Sequence, residues 1–266
     1  MLNIRNKFFY KIKAVIFLLI YSLFTLNSLS LFAYALDSPD LNNCNFKLIQ
    51  EKSIDGVPIL LYEHKGTGAK FIIEKDNTPN LSIEFLFRTP TENDKGTMHV
   101  LEHCIMNGSK NYPIKDIMFA INKKYPMSNI DATTYHDFTT YKISSLSEDE
   151  LNIIYGILLD CIFNPLILTD ERIFFKEALR YDLADKEELN GVVYNEILYA
   201  YNDQQKSMSH DIMKNLFHNT NQQFDSGGVP LKLVDLSYNE VVDAYKKFYT
   251  PQNMLVVIRG NFNYNK

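Results

Sequence analysis

The sequence predicts an α+β fold, in which a mixed and mostly antiparallel sheet packs against helices. Over residues 56–88, short segments rich in Ile, Leu and Phe alternate with turns, as strands joined by hairpins do. Longer segments with an apolar period of 3.6 residues then dominate residues 96–249. Because strands and helices occur in separate blocks, the order of elements indicates an α+β arrangement.

The first half of the chain contains predicted strands and two predicted helices. Turn-forming residues at Gly66-Thr67-Gly68 and Asp76-Asn77-Thr78-Pro79 separate the first three strands. The predicted strands are residues 57–62, 69–74, 81–87, 128–134 and 138–145, and the predicted helices are residues 96–106 and 114–123.

Helices dominate the second half. The first begins at the capping-box residues Ser147-Glu148-Asp149-Glu150 and ends at Asn164-Pro165. The other predicted helices are residues 170–186, 191–203, 207–220 and 238–249, and a last strand is predicted at residues 254–259.

Composition excludes several classes of protein. With 46% hydrophobic and 22% charged residues, the chain has the composition of a globular protein. A net charge of −5, with no strong basic run after the N-terminus, argues against a nucleic-acid partner.

The chain has three cysteines, Cys44, Cys104 and Cys161, and their number and spacing do not fit a disulfide framework. Cys104 and Cys161 fall on apolar helix faces, which predicts buried and unreactive thiols.

The N-terminus has the features of a targeting segment. Positive residues up to Lys13 precede a mostly apolar, uncharged run, and Ala33-Tyr34-Ala35 offers a cleavage site. Residues 1–35 are therefore predicted to be a signal peptide. The alternative is an uncleaved anchor, since the uncharged run over residues 14–36 is just long enough to span a bilayer. In both cases the protein is expected to be exported, with membrane contact only through this segment.

A metal-binding pattern lies at His99-Val100-Leu101-Glu102-His103. Residues four apart lie on one face of a helix, so His99 and His103 can reach one metal ion while Glu102 reaches a metal-bound water. The string has the H-x-x-E-H order of zinc peptidases of the inverzincin type. The alternative is a helix with two surface histidines and an unrelated glutamate.

Two histidines do not complete a catalytic zinc site, which usually has three protein ligands and an open position. Glu196 is the candidate third ligand, because it lies within an apolar stripe of helix 191–203 and a buried carboxylate needs a partner. A buried salt bridge with Arg or Lys explains the same position equally well. The stripe is formed by Val192, Val193, Ile197 and Ala200.

Several further segments carry a family resemblance. Gly191-Val192-Val193-Tyr194-Asn195-Glu196, downstream of the H-x-x-E-H string, resembles the pitrilysin/insulinase metallopeptidases, and their presequence-protease branch in particular. The resemblance covers roughly residues 50–262, in order and without large gaps. The other matching segments are Asn107-Gly108-Ser109, Tyr112-Pro113, residues 132–141, Asp225-Ser226-Gly227-Gly228 with Pro230, and Tyr249-Thr250-Pro251-Gln252-Asn253.

The resemblance implies a zinc endopeptidase that hydrolyses peptides or unfolded segments. It implies one Zn²⁺ per chain, bound by His99, His103 and Glu196, with Glu102 as the general base. It also implies that a substrate peptide adds as a strand beside residues 128–133, where backbone hydrogen bonds hold it. The substrate-binding residues implied by this match are Asn129, Asp131, Ala132 and Thr133. Asp131 departs from the family pattern, which has Asn, and an ionised carboxylate cannot donate to a substrate carbonyl.

The resemblance also implies a partner. Proteins of this family carry two or four related domains that close around the substrate, whereas residues 45–266 correspond to the N-terminal catalytic domain. A second homologous domain or subunit is therefore expected to complete the enzyme. The alternative is a non-catalytic or truncated half that pairs with an active sister subunit.

Overall fold

A computed structural model describes residues 45–181 and 188–262. The targeting segment predicted at residues 1–35 and Cys44 lie outside these residues. Asn45–Phe262 form one compact unit. Across the described parts of the chain, no helix is both long enough and apolar enough to cross a membrane.

The predicted α+β fold is confirmed. Seven strands form one sheet in the order β1-β2-β3-β9-β4-β6-β5, in which β3 and β9 are parallel and every other pair is antiparallel. No strand in the described residues pairs with the outer side of β5, so β5 is an edge strand. The sheet strands are β1 (Phe46–Ile54), β2 (Val57–His64), β3 (Lys70–Glu74), β4 (Leu81–Arg88), β5 (Ser128–Thr134), β6 (Phe138–Ser145) and β9 (Met254–Arg259), and β7 (Arg180–Tyr181) pairs with β8 (Leu189–Asn190) in a separate ladder.

Two α-helices of the described residues lie between β4 and β5 in the chain, and the others lie between β6 and β9. The α-helices are α1 (Thr97–Ile105), α2 (Ile117–Lys124), α3 (Glu148–Phe163), α4 (Arg172–Glu177), α5 (Val192–Tyr201), α6 (Gln204–Leu216), α7 (Pro230–Leu233) and α8 (Tyr238–Phe248). Short 3₁₀ helices occur at Leu166–Leu168, Asn221–Gln223 and Pro251–Asn253.

The hydrophobic core lies between one face of the sheet and the helices. Alternate residues of β4, among them Phe85 and Phe87, are buried, as the two-residue period of a strand requires. In α1, Val100 and Leu101 are fully buried against this core. Burying a Leu or Phe side chain contributes roughly 1.5–3 kcal/mol, so α1 is held firmly in place. The two histidines of α1 therefore lie on the side of the helix that faces away from this core.

The helix predicted at residues 170–186 is wrong at residues 178–181, and its last part, residues 182–186, lies outside the described residues. Helix α4 ends at Glu177, and the chain then forms β7, which pairs with β8. The reversal depends on Gly191, because a Cβ atom there would lie 2.2 Å from the carbonyl oxygen of Ala178. This close approach of α4 and α5 brings Glu177 and Glu196 near the same histidine.

The buried thiols predicted for Cys104 and Cys161 are confirmed, since both cysteines are free and buried. Burial raises the pKa of the Cys161 thiol to about 12 and that of Cys104 well above its usual value. Both thiols therefore remain protonated and unreactive at neutral pH.

Serine caps begin two of the long helices. Ser147 caps α3, as predicted, and Ser237 forms a full capping box with Glu240 at α8.

We expect Ser237→Ala to lower the free energy of unfolding by about 1 kcal/mol, since a backbone N–H loses its partner. Urea denaturation measures the change. Ser207→Ala, an exposed serine inside α6, serves as control, and equal losses in both variants would contradict the capping role.

Candidate metal centre

Helix α1 carries the H-x-x-E-H string, and its position depends on Gly96. Gly96 precedes the helix with φ +69°, a left-handed conformation that favours glycine. A Cβ atom there would lie 2.6 Å from the carbonyl oxygen of Gly227. The start of α1 therefore lies directly against residues 225–228, which we call the glycine loop.

Three candidate ligands converge beside α1. Nε2 of His99 lies 3.7 Å from Oε2 of Glu196, and Nε2 of His103 lies 3.5 Å from the same oxygen. The two imidazole rings are 4.9 Å apart between centroids and nearly perpendicular. One donor atom from each of the three residues lies within 4.8 Å of the others. The structure thus brings together residues that are up to 97 positions apart in the sequence, counting from His99 to Glu196.

Each histidine is also held at its other ring nitrogen. Nδ1 of His99 is 3.0 Å from the carbonyl oxygen of Gly227, and a carbonyl can only accept, so this nitrogen carries the hydrogen. Nδ1 of His103 lies 3.4 Å from Oε2 of Glu177. Because both Nδ1 atoms are engaged in these contacts, the Nε2 lone pair of each histidine remains available on the side that faces Oε2 of Glu196. This is the usual arrangement of metal-binding histidines.

Glu177 is a buried, ionised carboxylate behind His103, with only 2% of its surface exposed. Its Oε1 accepts hydrogen bonds from Asn107 Nδ2 and from Lys176 Nζ, each at 2.8 Å. Burial alone would raise the pKa of Glu177, but hydrogen bonds from His103 and Lys176 hold it below the ordinary value. Glu177 can therefore orient His103 as an acceptor at neutral pH.

Glu102 has the environment of a proton acceptor. It is 6% exposed, and Thr134 Oγ1 donates a hydrogen bond of 2.6 Å to its Oε2. Burial raises the pKa of Glu102, while the Thr134 hydrogen bond and the nearby His103 oppose that rise. A carboxylate with a raised pKa binds a proton more readily, which suits a general base working near neutral pH.

The donor set fits a zinc ion. Two imidazole nitrogens and one carboxylate oxygen form a common catalytic zinc ligand set. Zinc bonds of about 2.0–2.1 Å in a tetrahedron place donor atoms roughly 3.4 Å apart. The observed separations of 3.7 and 3.5 Å between the Nε2 atoms and Glu196 are close to this value. The ligand roles of His99, His103 and Glu196 stay predictions that this geometry supports.

The burial expected for Glu196 is wrong, although its position beside the histidines agrees with the expected ligand set. Its side chain is 57% exposed, because α5 buries Val193 and Ile197 and turns Val192 outward. In the described residues, the ion-pair contacts of Glu196 are with the two histidines rather than with Arg or Lys. The exposure of this candidate third ligand leaves one side of the three-residue cluster accessible to solvent.

The predicted substrate strand is the edge strand β5, and it borders the metal centre. Strand alternation places Ala132 and Thr134 toward Glu102, and Asp131 and Thr133 on the other face. Asn129 lies near the start of the same strand, and Asp131 is opposite Lys142 of β6. The substrate-binding roles of Asn129, Asp131, Ala132 and Thr133 stay predictions.

A cavity of about 310 Å³ adjoins the centre between β5 and α5. Its wall combines polar and charged side chains, Glu102 and His103 among them, with apolar ones, so it can take part of a bound peptide beside the proposed base. The apolar side chains are Met106, Met118, Ala132 and Val192.

Comparison with known proteins places these features in a family context. The sequence profile of the insulinase family (peptidase family M16) matches residues 87–225. The protein HypA of Clostridium perfringens (strain 13 / Type A) is 32% identical over 221 residues, which cover 81% of this chain and 23% of HypA. The mitochondrial presequence protease of Drosophila melanogaster is 32% identical over 211 residues, which cover 77% of this chain and 20% of that protein.

Solved structures show the same fold. Pitrilysin superposes with a TM-score of 0.61 at 20% identity, covering 81% of this chain and 22% of pitrilysin. A protease from Helicobacter pylori gives a TM-score of 0.58 at 17% identity, covering 80% of this chain and 46% of that one. The chain spans about a fifth to a quarter of the curated relatives it matches.

Proposed function

Because the chain belongs to the insulinase family of peptidases, M16, we propose that residues 45–266 are the catalytic domain of a zinc-dependent endopeptidase. One observation carries this proposal. Three donor residues suited to zinc lie within 4.8 Å of one another, directly beside a buried glutamate that can act as a base. A purely structural zinc site would have no need of Glu102.

The reaction proposed is hydrolysis of a peptide bond by water. A zinc ion held by His99, His103 and Glu196 would supply the Lewis acidity that activates water and polarises the scissile carbonyl. Glu102 takes a proton from the attacking water and later passes it to the leaving amine. Thr134 keeps the Glu102 carboxylate beside the centre through its 2.6 Å hydrogen bond.

The substrate proposed is an extended peptide that adds to the sheet along β5. In the described residues no strand pairs with the outer side of this edge strand. The N–H of Ser128 donates to the carbonyl oxygen of Tyr125, and that of Ile130 donates to Asn122 Oδ1. The backbone groups from Ala132 onward can therefore bond to a peptide main chain. Main-chain recognition accounts for a substrate that is short or unfolded and has little sequence preference. The cavity beside Ala132 would then receive a side chain of the peptide.

The partner proposed is a second homologous domain or subunit. The exposure of Glu196 and the length of the relatives support it, since the chain matches only 23% of HypA and 20% of the Drosophila protease. Each missing electrostatic donor in a site costs roughly 10²–10³ in rate, so the chain alone is expected to bind zinc but hydrolyse slowly. Export, proposed from residues 1–35 alone, would place this reaction outside the cytoplasm.

Metal removal and restoration test the proposal. The full chain should hold one zinc ion, and it should cleave a quenched unstructured peptide. Treatment with 1,10-phenanthroline should abolish cleavage, and added Zn²⁺ should restore it, because Lewis acidity is lost and regained. Zinc content is measured by elemental analysis on the same samples. A folded chain that takes up no zinc, or cleavage that survives full metal removal, would reject the proposal.

A further inference from the structure

The glycine loop contains a buried aspartate that no step of the proposed reaction uses. Asp225 is 6% exposed and lies at the start of the loop, two residues before the carbonyl group that contacts His99. An ionised group in this position needs partners, and Lys206 Nζ and Tyr201 Oη lie 2.6 and 2.9 Å from its Oδ2. Burial alone would raise the pKa of Asp225, but Lys206 and Tyr201 hold it below the ordinary value.

Asp225 holds both peptide groups that flank Gly227. Its Oδ1 accepts a hydrogen bond of 3.0 Å from the N–H of Gly227. Its main-chain oxygen accepts a hydrogen bond of 3.0 Å from the N–H of Gly228. The second of these peptide groups also contains the carbonyl oxygen of Gly227. Because both planes are fixed, this oxygen is directed at Nδ1 of His99.

The loop is fixed from outside as well. The N–H of Asp225 donates to Oδ1 of Asp94 at 2.8 Å, and Nε2 of His210 lies 3.1 Å from the same oxygen. Gly96 leaves no room for the loop to move toward α1. Helix α6, through Lys206 and His210, therefore holds the glycine loop against the start of α1.

We propose that Asp225 is a positioning residue for the metal centre, which acts through the Gly227 carbonyl to fix the orientation and tautomer of His99. The inference rests on the proposed metal role of His99. Without the Asp225 carboxylate, the N–H of Gly227 loses its acceptor, and Lys206 loses the group that ties helix α6 to the loop. The Gly227 carbonyl is then less firmly fixed, and the His99 ring is freed to rotate about its side-chain bonds. Outer partners of this kind typically change metal affinity by about 10–100-fold.

The test compares Asp225→Ala with Asp160→Ala in the full chain. Asp160 is a matched control, since it also accepts hydrogen bonds from Ser109, Asn111 and Asn164 but does not contact the centre. Zinc affinity is measured by competition with a chromogenic chelator, and the visible spectrum of the Co²⁺-substituted chain reports ligand geometry. We expect Asp225→Ala to weaken zinc binding about 10–100-fold and to change the Co²⁺ spectrum, with Asp160→Ala close to wild type.

Two results would overturn the inference. One is a zinc affinity of Asp225→Ala within threefold of wild type, and the other is an equal loss in both variants. If Asp225→Ala does not fold, Asp225→Val replaces it, since valine fills more of the buried volume but offers no acceptor to the N–H of Gly227. A Val variant with wild-type affinity and spectrum would also overturn the inference. A wild-type chain that binds no zinc would instead reject the proposed function.

Discussion

Glu102→Gln should reduce peptide hydrolysis by about 10²–10⁴-fold, the range in which a general base contributes to catalysis. Glutamine has nearly the same shape and can still accept the hydrogen bond from Thr134. It cannot take a proton from water at neutral pH. Because Glu102 is not among the three donors that face one another, zinc content should remain at one ion per chain.

The measurement pairs zinc content with initial rates on a quenched peptide, using the full chain and any partner that copurifies with it. Glu51→Gln is the control, because Glu51 is an exposed carboxylate on β1 at the far edge of the sheet. It should keep the wild-type rate. A Glu102→Gln chain that retains more than a tenth of the wild-type rate would remove Glu102 from the role of base.

Glu196→Ala should weaken zinc binding by more than the roughly 10–100-fold that loss of an outer partner costs. The change removes a proposed ligand outright, and it leaves His99 and His103 with an incomplete donor set. Hydrolysis should fall in parallel. Since the side chain is 57% exposed and Ala favours a helix, the fold of α5 should be kept.

Chelator competition gives the zinc dissociation constant, and thermal denaturation of the metal-free chain checks the fold. Tyr199→Ala is the matched control, because Tyr199 lies on the same helix and is 82% exposed. It should bind zinc like wild type. Unchanged zinc affinity in Glu196→Ala would show that this carboxylate is not a ligand, and the two-histidine site would then need another third donor.

Most elements of the fold were predictable because their periodicity is local. The edge strand β5 and the partner strand β6 have the predicted bounds, and β9 matches as well. Strand β1 was not predicted, since nearly all its residues are exposed and it lacks an alternating apolar pattern. The sequence signal for this strand is the pair Asp55-Gly56, because Asp-Gly favours the tight turn of a hairpin. Both residues have positive φ in the structure.

The metal centre was predictable only in part. The four-residue spacing identifies His99 and His103, because residues four apart in a helix lie close together on one face. The partners of these histidines come from elsewhere in the chain. Glu177 is 74 residues after His103 and Gly227 is 128 residues after His99, so no periodicity links them. Because a continuous helix is predicted through residue 186, the sequence also gives no sign of the β7–β8 pairing that brings Glu177 and Glu196 together.

The edge of β5 that no strand of the described residues covers has a consequence beyond catalysis. A sheet edge that offers free main-chain groups can extend with any stretched polypeptide, including another copy of the same protein. Natural proteins discourage such growth into aggregates by placing charges on the exposed strand. Asp131, in the middle of β5, is such a charge. We therefore expect the aspartate at this position to oppose self-association as well.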